Sequence, residues 1–579
     1  MSHPGSIAER KARFLNRWHA RRVTRSAVET GFVAPPEPRT IGSFGRGRQL
    51  VAGKFQFAGF LVEAEGVSPW DITPPDREFL AQLHGFAWLD DLAAVGDLAS
   101  QNAARSWVWD WLRRYGNGRG PGWVPHLTGR RLIRWINHGQ LLMRGQDQQQ
   151  VDTFFRSIGQ QTQFLSRRWH AALPGPERFE ALCGLVYACL SLKELDEIAL
   201  PASKALDREC AGQIDDQGGI QTRNPEELLD VFTQLTWAAA SITDAGRSVP
   251  SQHLEAIERI APTLRTLRHA DGGLARFHGG GRGAEGWLDH ALAASGVKKR
   301  QADGLAMGYA RLSTGRTSVI VDASLPPKGR FSWAAHASTL AMELTSGRRP
   351  LIVNCGSGVS FGPEWRRAGR ATPSHSTLTV DGYSSARLGD PDKKTGLEHL
   401  TGGPTHVPIE ISQAPDGIRF QGGHDGYLKS HGLTHVRILE LTFDGRGISG
   451  EDMLLAIDEP SKSRLEKAIV QARTGGINFD IRFHLHPEVD AALDLGGTAV
   501  SIALKSGEIW IFRHDGNQKL SLESSVYLET GRLKPRGALQ IVLSGKAADY
   551  STRVRWTLSK AQETAIGVRD LRRDEPAAP

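Results

Sequence analysis

Two adjoining runs decide how this chain folds: FSWAAHASTLAMELTSGRRPLIVNCG (residues 331–356) and EWRRAGRATPSHSTLTVDGY (364–383). Both break into short apolar pieces separated by Gly-Arg, Asp-Gly and Pro, which predicts strands joined by turns. Downstream the pattern persists in HVRILELTF (435–443), FDIRFHLH (479–486), GEIWIFR (507–513), LQIVLSG (539–545) and TRVRWTL (552–558). The turn residues recur at intervals typical of an antiparallel sheet or sandwich. From about residue 303 the chain reads as all-β.

Upstream the apolar period lengthens to that of helices, as in DREFLAQLHGFAWLDDLAAV (76–95), RRLIRWINHGQLLMRG (130–145), VDTFFRSIGQQTQFLSRRWHAAL (151–173) and PEELLDVFTQLTWAAASIT (225–243). Pro and Gly punctuate these runs where helices should stop and start. The expected class is therefore α+β, with helices first and antiparallel sheets second. Four segments follow: a basic arm (1–48), a helical domain (49–302) opened by a strand or two in QLVAGKFQFAGFLVEA (49–64), a β-domain (303–565) and a frayed tail (566–579). FHGGGRG (277–283) lacks the strand–helix setting of a phosphate loop and reads as a flexible connector between the halves.

Composition narrows the function classes. The 579 residues are 40% apolar and 23% charged, enough for full cores and without a run of the length a membrane span needs. Four cysteines, Cys183, Cys189, Cys210 and Cys355, contain no CxxC pair, so neither a zinc ribbon nor a disulfide framework is indicated. The net charge is +8, and residues 1–50 hold ten Lys/Arg against three acids, so nearly all of the excess lies in the arm. Such an arm can steer nucleic acid, anionic lipid or an anionic polymer, or be a solvated or partner-docking segment. A nucleic-acid partner would rest on charge alone, since no recognised module is present. The basic N-terminus has no uninterrupted apolar stretch of a secretory signal, so a cytoplasmic place is expected, or a periplasmic one by an export route not visible in the sequence. No oligomeric state follows.

The stretch 331–383 resembles the heparinase II/III superfamily of polysaccharide lyases. His336-Ala337, Met342-Glu343-Leu344, Gly347-Arg348, Val353-Asn354-Cys355-Gly356, Trp365-Arg366 and Ser374-His375-Ser376-Thr377 fall in order into the family's pattern. HDGYLKSHGLTHVR (424–437) and DDQGGIQTRNPEELLDVF (215–232) are similar to two further family runs, so the resemblance spans roughly 80–560. It implies an (α/α) toroid of helix hairpins followed by an antiparallel β-sandwich, and a lyase that cleaves a uronate-containing anionic glycan by β-elimination. That chemistry needs a group to neutralise the uronate carboxylate, a base for the C5 proton and a proton donor for the departing oxygen.

The residues depart from the family set. Alanine stands at 334, where the family's Gly-His-Ser-His-Ala has its first histidine, and Glu227 stands where its Ser-Pro-x-Tyr has the tyrosine. An altered set is implied: Arg223 as carboxylate clamp, Glu227, His336, His375 and Tyr427 as proton carriers. A surface Arg–Glu pair and a turn tyrosine packed on the sheet are the competing readings. Trp123, Arg130 and Arg134, with the neighbouring Arg131 and Trp135, combine aromatic and guanidinium groups as sugar clefts do, and Arg370 is counted with them; toroid packing explains the tryptophans equally well. His336, Asn354 and His375 match positions where some members hold a structural zinc, against the reading of hydrogen-bonded histidines pinning two strands. His484 and His486 alternate on one strand face. The alternative to a lyase is a catalytically silent glycan-binding or cell-envelope-associated protein on the same fold.

Overall fold

The computed structural model describes residues 7–26, 28, 30–299, 304–392 and 397–561, so the expected tail at 566–579 lies outside the described residues. Three helices, Pro125–Asn137, Pro176–Ser191 and Pro225–Asp244, pack side by side as an inner row. Each begins with proline, whose fixed φ and missing N–H suit the first helical position. Gly129 and Gly184 let the first two approach until a Cβ on Gly184 would stand 2.4 Å from the Gly129 Cα. Helices Gln148–Arg168, Asp196–Gln213 and Ser251–Thr266 alternate with them along the chain as the outer layer of the toroid. Its core is aromatic-rich: Trp88, Trp111, Trp135, Phe79 and Phe86 are fully buried, and Arg131 lies among them. Among the described residues Arg131 has no carboxylate partner; it stacks 4.3 Å above Trp111 and donates to Gln161 and to the carbonyls of His84 and Gly122. Burial lowers its guanidinium to about 9.

The described residues of the arm include a helix packed on the toroid. Helix Ile7–Val23 seats on Gln148–Arg168 through the buried Asn16, Ala20 and Val23, with Arg168 Nε donating to Asn16 Oδ1 at 2.7 Å. A second helix, Phe44–Val51, is capped by Ser43 and followed by the expected hairpin, Lys54–Phe57 paired with Phe60–Glu63.

The second half is a sandwich of two antiparallel sheets. One runs in the order Tyr309–Thr314, Thr317–Asp322, Met342–Ser346, Arg349–Val353, Ile477–Leu485, Arg536–Ala547, Lys519–Tyr527, with Leu378–Val380 also paired to Ile477–Leu485. The other runs Ile409–Ala414, Gly417–Tyr427, Leu433–Thr442, Gly447–Leu455, Ser551–Lys560, Ile509–His514, Ala499–Ala503, Asp490–Asp494. Leu433–Thr442 alternates buried and half-exposed residues along its length, as a strand with one face on the core must. The all-β reading passed over helix Glu459–Ala472, capped by Asp458, which packs Leu465 onto the sandwich core. The toroid core continues into Met307, Tyr309 and Ile320, so the first strands of the sandwich close the end of the helical layer.

Candidate functional site at the toroid–sandwich seam

The turn into helix Pro225–Asp244 folds as its spacing predicts. Asp215 Oδ1 accepts the amides of Gln217 and Gly219 at 2.9 and 2.7 Å, and Asn224 Oδ1 those of Glu226 and Glu227 at 3.0 and 3.3 Å. Between them Arg223 takes a left-handed φ of 51°, held by its carbonyl accepting from Tyr309 OH at 2.6 Å. Its guanidinium faces the sandwich and is fully engaged there. It donates to the carbonyls of Met307 (3.1 Å), Leu325 (2.8 Å) and Gly308 (2.9 Å) and to Asp322 Oδ1 (2.6 Å). The expectation of a carboxylate clamp for substrate is corrected by this geometry, because Asp322 already fills that place. Burial alone would raise the Asp322 carboxyl; Arg223 and His278 hold it far below the usual range.

From Asp322 a chain of buried polar groups runs into the sheet. Ser338 donates to Asp322 Oδ2 at 2.7 Å, and His278 Nε2 stands 3.4 Å from the same oxygen. The His336 amide donates to His278 Nδ1 at 3.1 Å, and His336 Nδ1 meets His375 Nε2 at 3.0 Å. His375 Nδ1 lies 2.8 Å from the Ala371 carbonyl, which can only accept. These bonds fix the tautomers: His375 carries its proton on Nδ1, and His336 donates from Nδ1 to His375 Nε2. Burial pushes both imidazoles down, His375 to about 4, so both are neutral at physiological pH.

The expected pair of histidines thus meets, and the third member of the expected zinc set is adjacent but engaged. Asn354 Oδ1 accepts from the Ser376 amide at 3.0 Å, and Nδ2 donates to Glu343 Oε1 at 3.4 Å. The three residues do not fit a zinc ion: the facing imidazole nitrogens bond to each other, the amide oxygen has a partner, and none of the three supplies charge. Among the described residues no three His, Cys, Asp or Glu are grouped to hold a metal.

Other candidates are corrected by burial. Tyr427 is enclosed in the sandwich core, its hydroxyl donating to the Leu378 carbonyl at 2.9 Å, so it has no path to the cleft. Arg370 is buried and donates to the carbonyls of Ala335 (2.8 Å), Ser332 (2.7 Å) and Glu398 (2.9 Å), which staples the 332–335 turn rather than gripping a ligand. Trp123 is 3% exposed and donates to the Tyr115 carbonyl, leaving no ring face for a sugar. Arg134 bonds Asp90 at 3.2 Å and covers Trp237. His484 bonds Ser525 and the Pro373 carbonyl, a structural role.

What does gather near the N-terminal ends of the inner helices is acidic. Arg130 is paired with Glu180 at 2.5 Å, and Glu226, Glu227 and Asp230 stand beside them. Helix N-termini favour carboxylates, which offsets part of the crowding. Burial pushes Glu227 up to about 7, opposed by the Thr222 hydroxyl donating at 2.7 Å and reinforced by Glu226. Asp230 keeps an open side to solvent, yet loss of bulk water around it, with Glu226 and Glu180, moves it to about 7. Both exchange protons near neutrality.

The seam residues that the sequence reading did not assign are Asp322, His278 and Ser338, together with Arg276, which pairs with Glu343 at 3.3 Å and donates to the Asn354 carbonyl. Asp322 had a signal: an acid ending the otherwise apolar TSVIVDA, where an unpaired charge would be costly. FHGGGRG (277–283) is not a flexible connector either. Its Gly281 amide donates to Glu226 at 2.7 Å, and a Cβ on Gly280 would lie 2.4 Å from Asn224 Oδ1. Its glycines let the backbone lie flat against the cap. Position 334 is a methyl group beside Gly279, 9% exposed.

A helical toroid closed by an antiparallel sandwich, with its polar seam between them, defines the polysaccharide-lyase fold. Residues 296–557 match the family described as Heparinase II/III-like, C-terminal. The sandwich half therefore matches the C-terminal domain of heparinase II/III-like proteins. The structure is similar to that of heparinase III (14% identity, TM-score 0.69, 95% of this chain and 89% of that chain) and of the heparan sulfate lyase HepC from Pedobacter heparinus (16% identity, TM-score 0.56, 96% and 88%). In sequence it is 28% identical over 535 residues to FtsZ-localized protein C of Caulobacter vibrioides, covering 91% of this chain and 90% of that protein.

Proposed function

We propose that the protein is a catalytically silent member of the lyase fold that works by binding, at the cell envelope and in association with the division apparatus. One observation carries this reading: the groups that β-elimination needs are not brought together. Position 334 offers a methyl group, Glu227 replaces the tyrosine, Arg223 is saturated by Asp322 and three carbonyls, and Tyr427 is enclosed. Glu226, Glu227 and Asp230 cluster beside an Arg130 already paired with Glu180, so a uronate carboxylate would meet like charge there. The Caulobacter relative matches both halves of the chain, and its name places it with FtsZ. On this reading the chain acts on the cytoplasmic side of the envelope.

The test has two arms. Purified protein should release no unsaturated, ultraviolet-absorbing product from a panel of uronate polymers, and should co-sediment with FtsZ polymers while a fluorescent fusion collects at the division plane. Rapid elimination on any uronate polymer would overturn the silent reading. A second reading, a lyase with an altered set, is favoured by Glu227 and Asp230 standing near neutrality; it predicts slow elimination that Glu227→Gln abolishes.

A further inference from the structure

The two sheets end in four edge strands, each paired along one side only among the described residues. Tyr309–Thr314 lies against the toroid, where Arg311 donates to the carbonyls of Thr266 and Arg268 at 2.8 and 2.7 Å. Asp490–Asp494 has an aspartate at each end, and in an antiparallel pair with a second copy these would stand opposite one another. Ile409–Ala414 holds one charge, Glu410, and no cation to meet it. Lys519–Tyr527 differs: its nine residues, KLSLESSVY, contain no proline or glycine, and they carry one cation and one anion.

The spacing of those two charges is self-complementary. Opposed residues in an antiparallel pair share a face, so a two-fold axis between copies must pass through a residue. With the axis at Ser521, Lys519 stands opposite Glu523 of the second copy and Leu520 opposite Leu522, and the symmetry repeats both pairs. Moved to Leu520 or Leu522, the axis leaves Lys519 opposite a serine; moved to Glu523, it sets two glutamates face to face. Lys519 and Glu523 are exposed, Glu523 accepting from its strand neighbour Ser521 at 2.7 Å. Leu520 and Leu522 are half-buried on the opposite face, against the sandwich core at its edge. An edge lysine deters pairing with foreign strands, and the acid four residues on admits a copy of the same strand. We propose that two copies of the chain join edge to edge here, antiparallel about Ser521, so that one sheet runs through both molecules and each copy covers the other's leucines. The proposal does not rest on the division reading, since it uses neither the seam nor the acidic cluster.

Sedimentation velocity of the full chain should show the mass of one chain at high dilution moving towards that of two at about 100 μM, since a single strand pair buries less area than a standard interface. Lys519→Glu or Glu523→Lys alone should raise the dimer dissociation constant about tenfold or more, because two cross-strand pairs turn from attraction to repulsion in each. Mixing the two variant chains should restore association as a heterodimer, every cation again facing an acid. Both side chains are exposed, so the melting temperature of each variant should match that of the parent. A parent chain that stays single throughout the range would overturn the proposal. So would dimers that ignore both substitutions, or variant chains that remain apart when mixed.

Discussion

Two polar regions lie on either side of the Arg223–Asn224 turn and are built on opposite terms. In the seam, Arg223, Asp322, His278, Ser338, His336 and His375 satisfy one another, and the charges balance. In the acidic cluster, Glu226, Glu227 and Asp230 face one engaged arginine; burial pushes Glu227 and Asp230 up to about 7 and raises Glu226 as well. The first arrangement fixes structure; the second retains titratable groups. On the silent reading proposed above, the fold keeps the bonds that join its domains without the groups that would act between them.

The contrast breaks most easily at Asp322. Asp322→Ala leaves Arg223 buried without its counter-ion, and a loss of about 3–5 kcal/mol is expected in denaturant unfolding. A loss below about 1 kcal/mol would show that the seam is not the structural unit described. His375→Ala should cost less, about 1–3 kcal/mol, by removing the acceptor for His336. It also carries a pH signature. The folded imidazole titrates near 4 against 6.5 when free, so folding favours the neutral form: its stabilisation is complete above 6.5 and fades as pH falls towards 4. Melting curves of the variant between those pH values should lack that share of the slope, and an unchanged slope would contradict the tautomer chain.

On the acidic side the sign reverses. Folding raises Glu227 from 4.5 to about 7, so the folded state holds that proton more tightly, and the contribution is present below 4.5 and lost as pH rises through 7. Glu227→Gln should accordingly stabilise the protein at pH 8 by about 1–2 kcal/mol and leave it little changed at pH 4. Destabilisation at pH 8 would mean that the Glu227 carboxylate has a partner stronger than Thr222. The smallest effect belongs to Ala334→His, which should produce no measurable elimination because the clamp and the tyrosine are absent too. Activity gained by that change alone would return the acidic cluster to the class of active sites.

The architecture was legible in the sequence because period reports packing directly: 3.6-residue spacing before about 300 and alternation after it became toroid and sandwich. The turn at 215–227 was legible for the same reason, as Asp, Gly, Asn and Pro act locally. The site was less so. Arg223, His336 and His375 were found, but motif position could not show that Arg223 turns toward Asp322, ninety-nine residues away, rather than into the cleft. Tyr427 and Arg370 sat in motif runs whose residues serve the sheet. Helix Glu459–Ala472 was passed over because strands surround it, although Leu465, Ala468 and Ile469 keep helical spacing.

The small hairpin after the arm has a mechanical consequence. Its tip turns through Ala58 and Gly59, both at positive φ, and Gly59 lies so close to the sandwich that a Cβ would stand 2.0 Å from the Ser360 carbonyl oxygen. Gln56 on the same hairpin donates to the Gly531 carbonyl at 2.6 Å. With the Arg223–Asp322 pair this gives the two halves separate fastening points, and helix Ile7–Val23 is fixed to the toroid through Arg168 and Asn16. The molecule is thus a strut rather than a tether. Whatever seizes its basic end sets the direction in which the far edge of the sandwich is aimed, and a partner held there is oriented as well as retained.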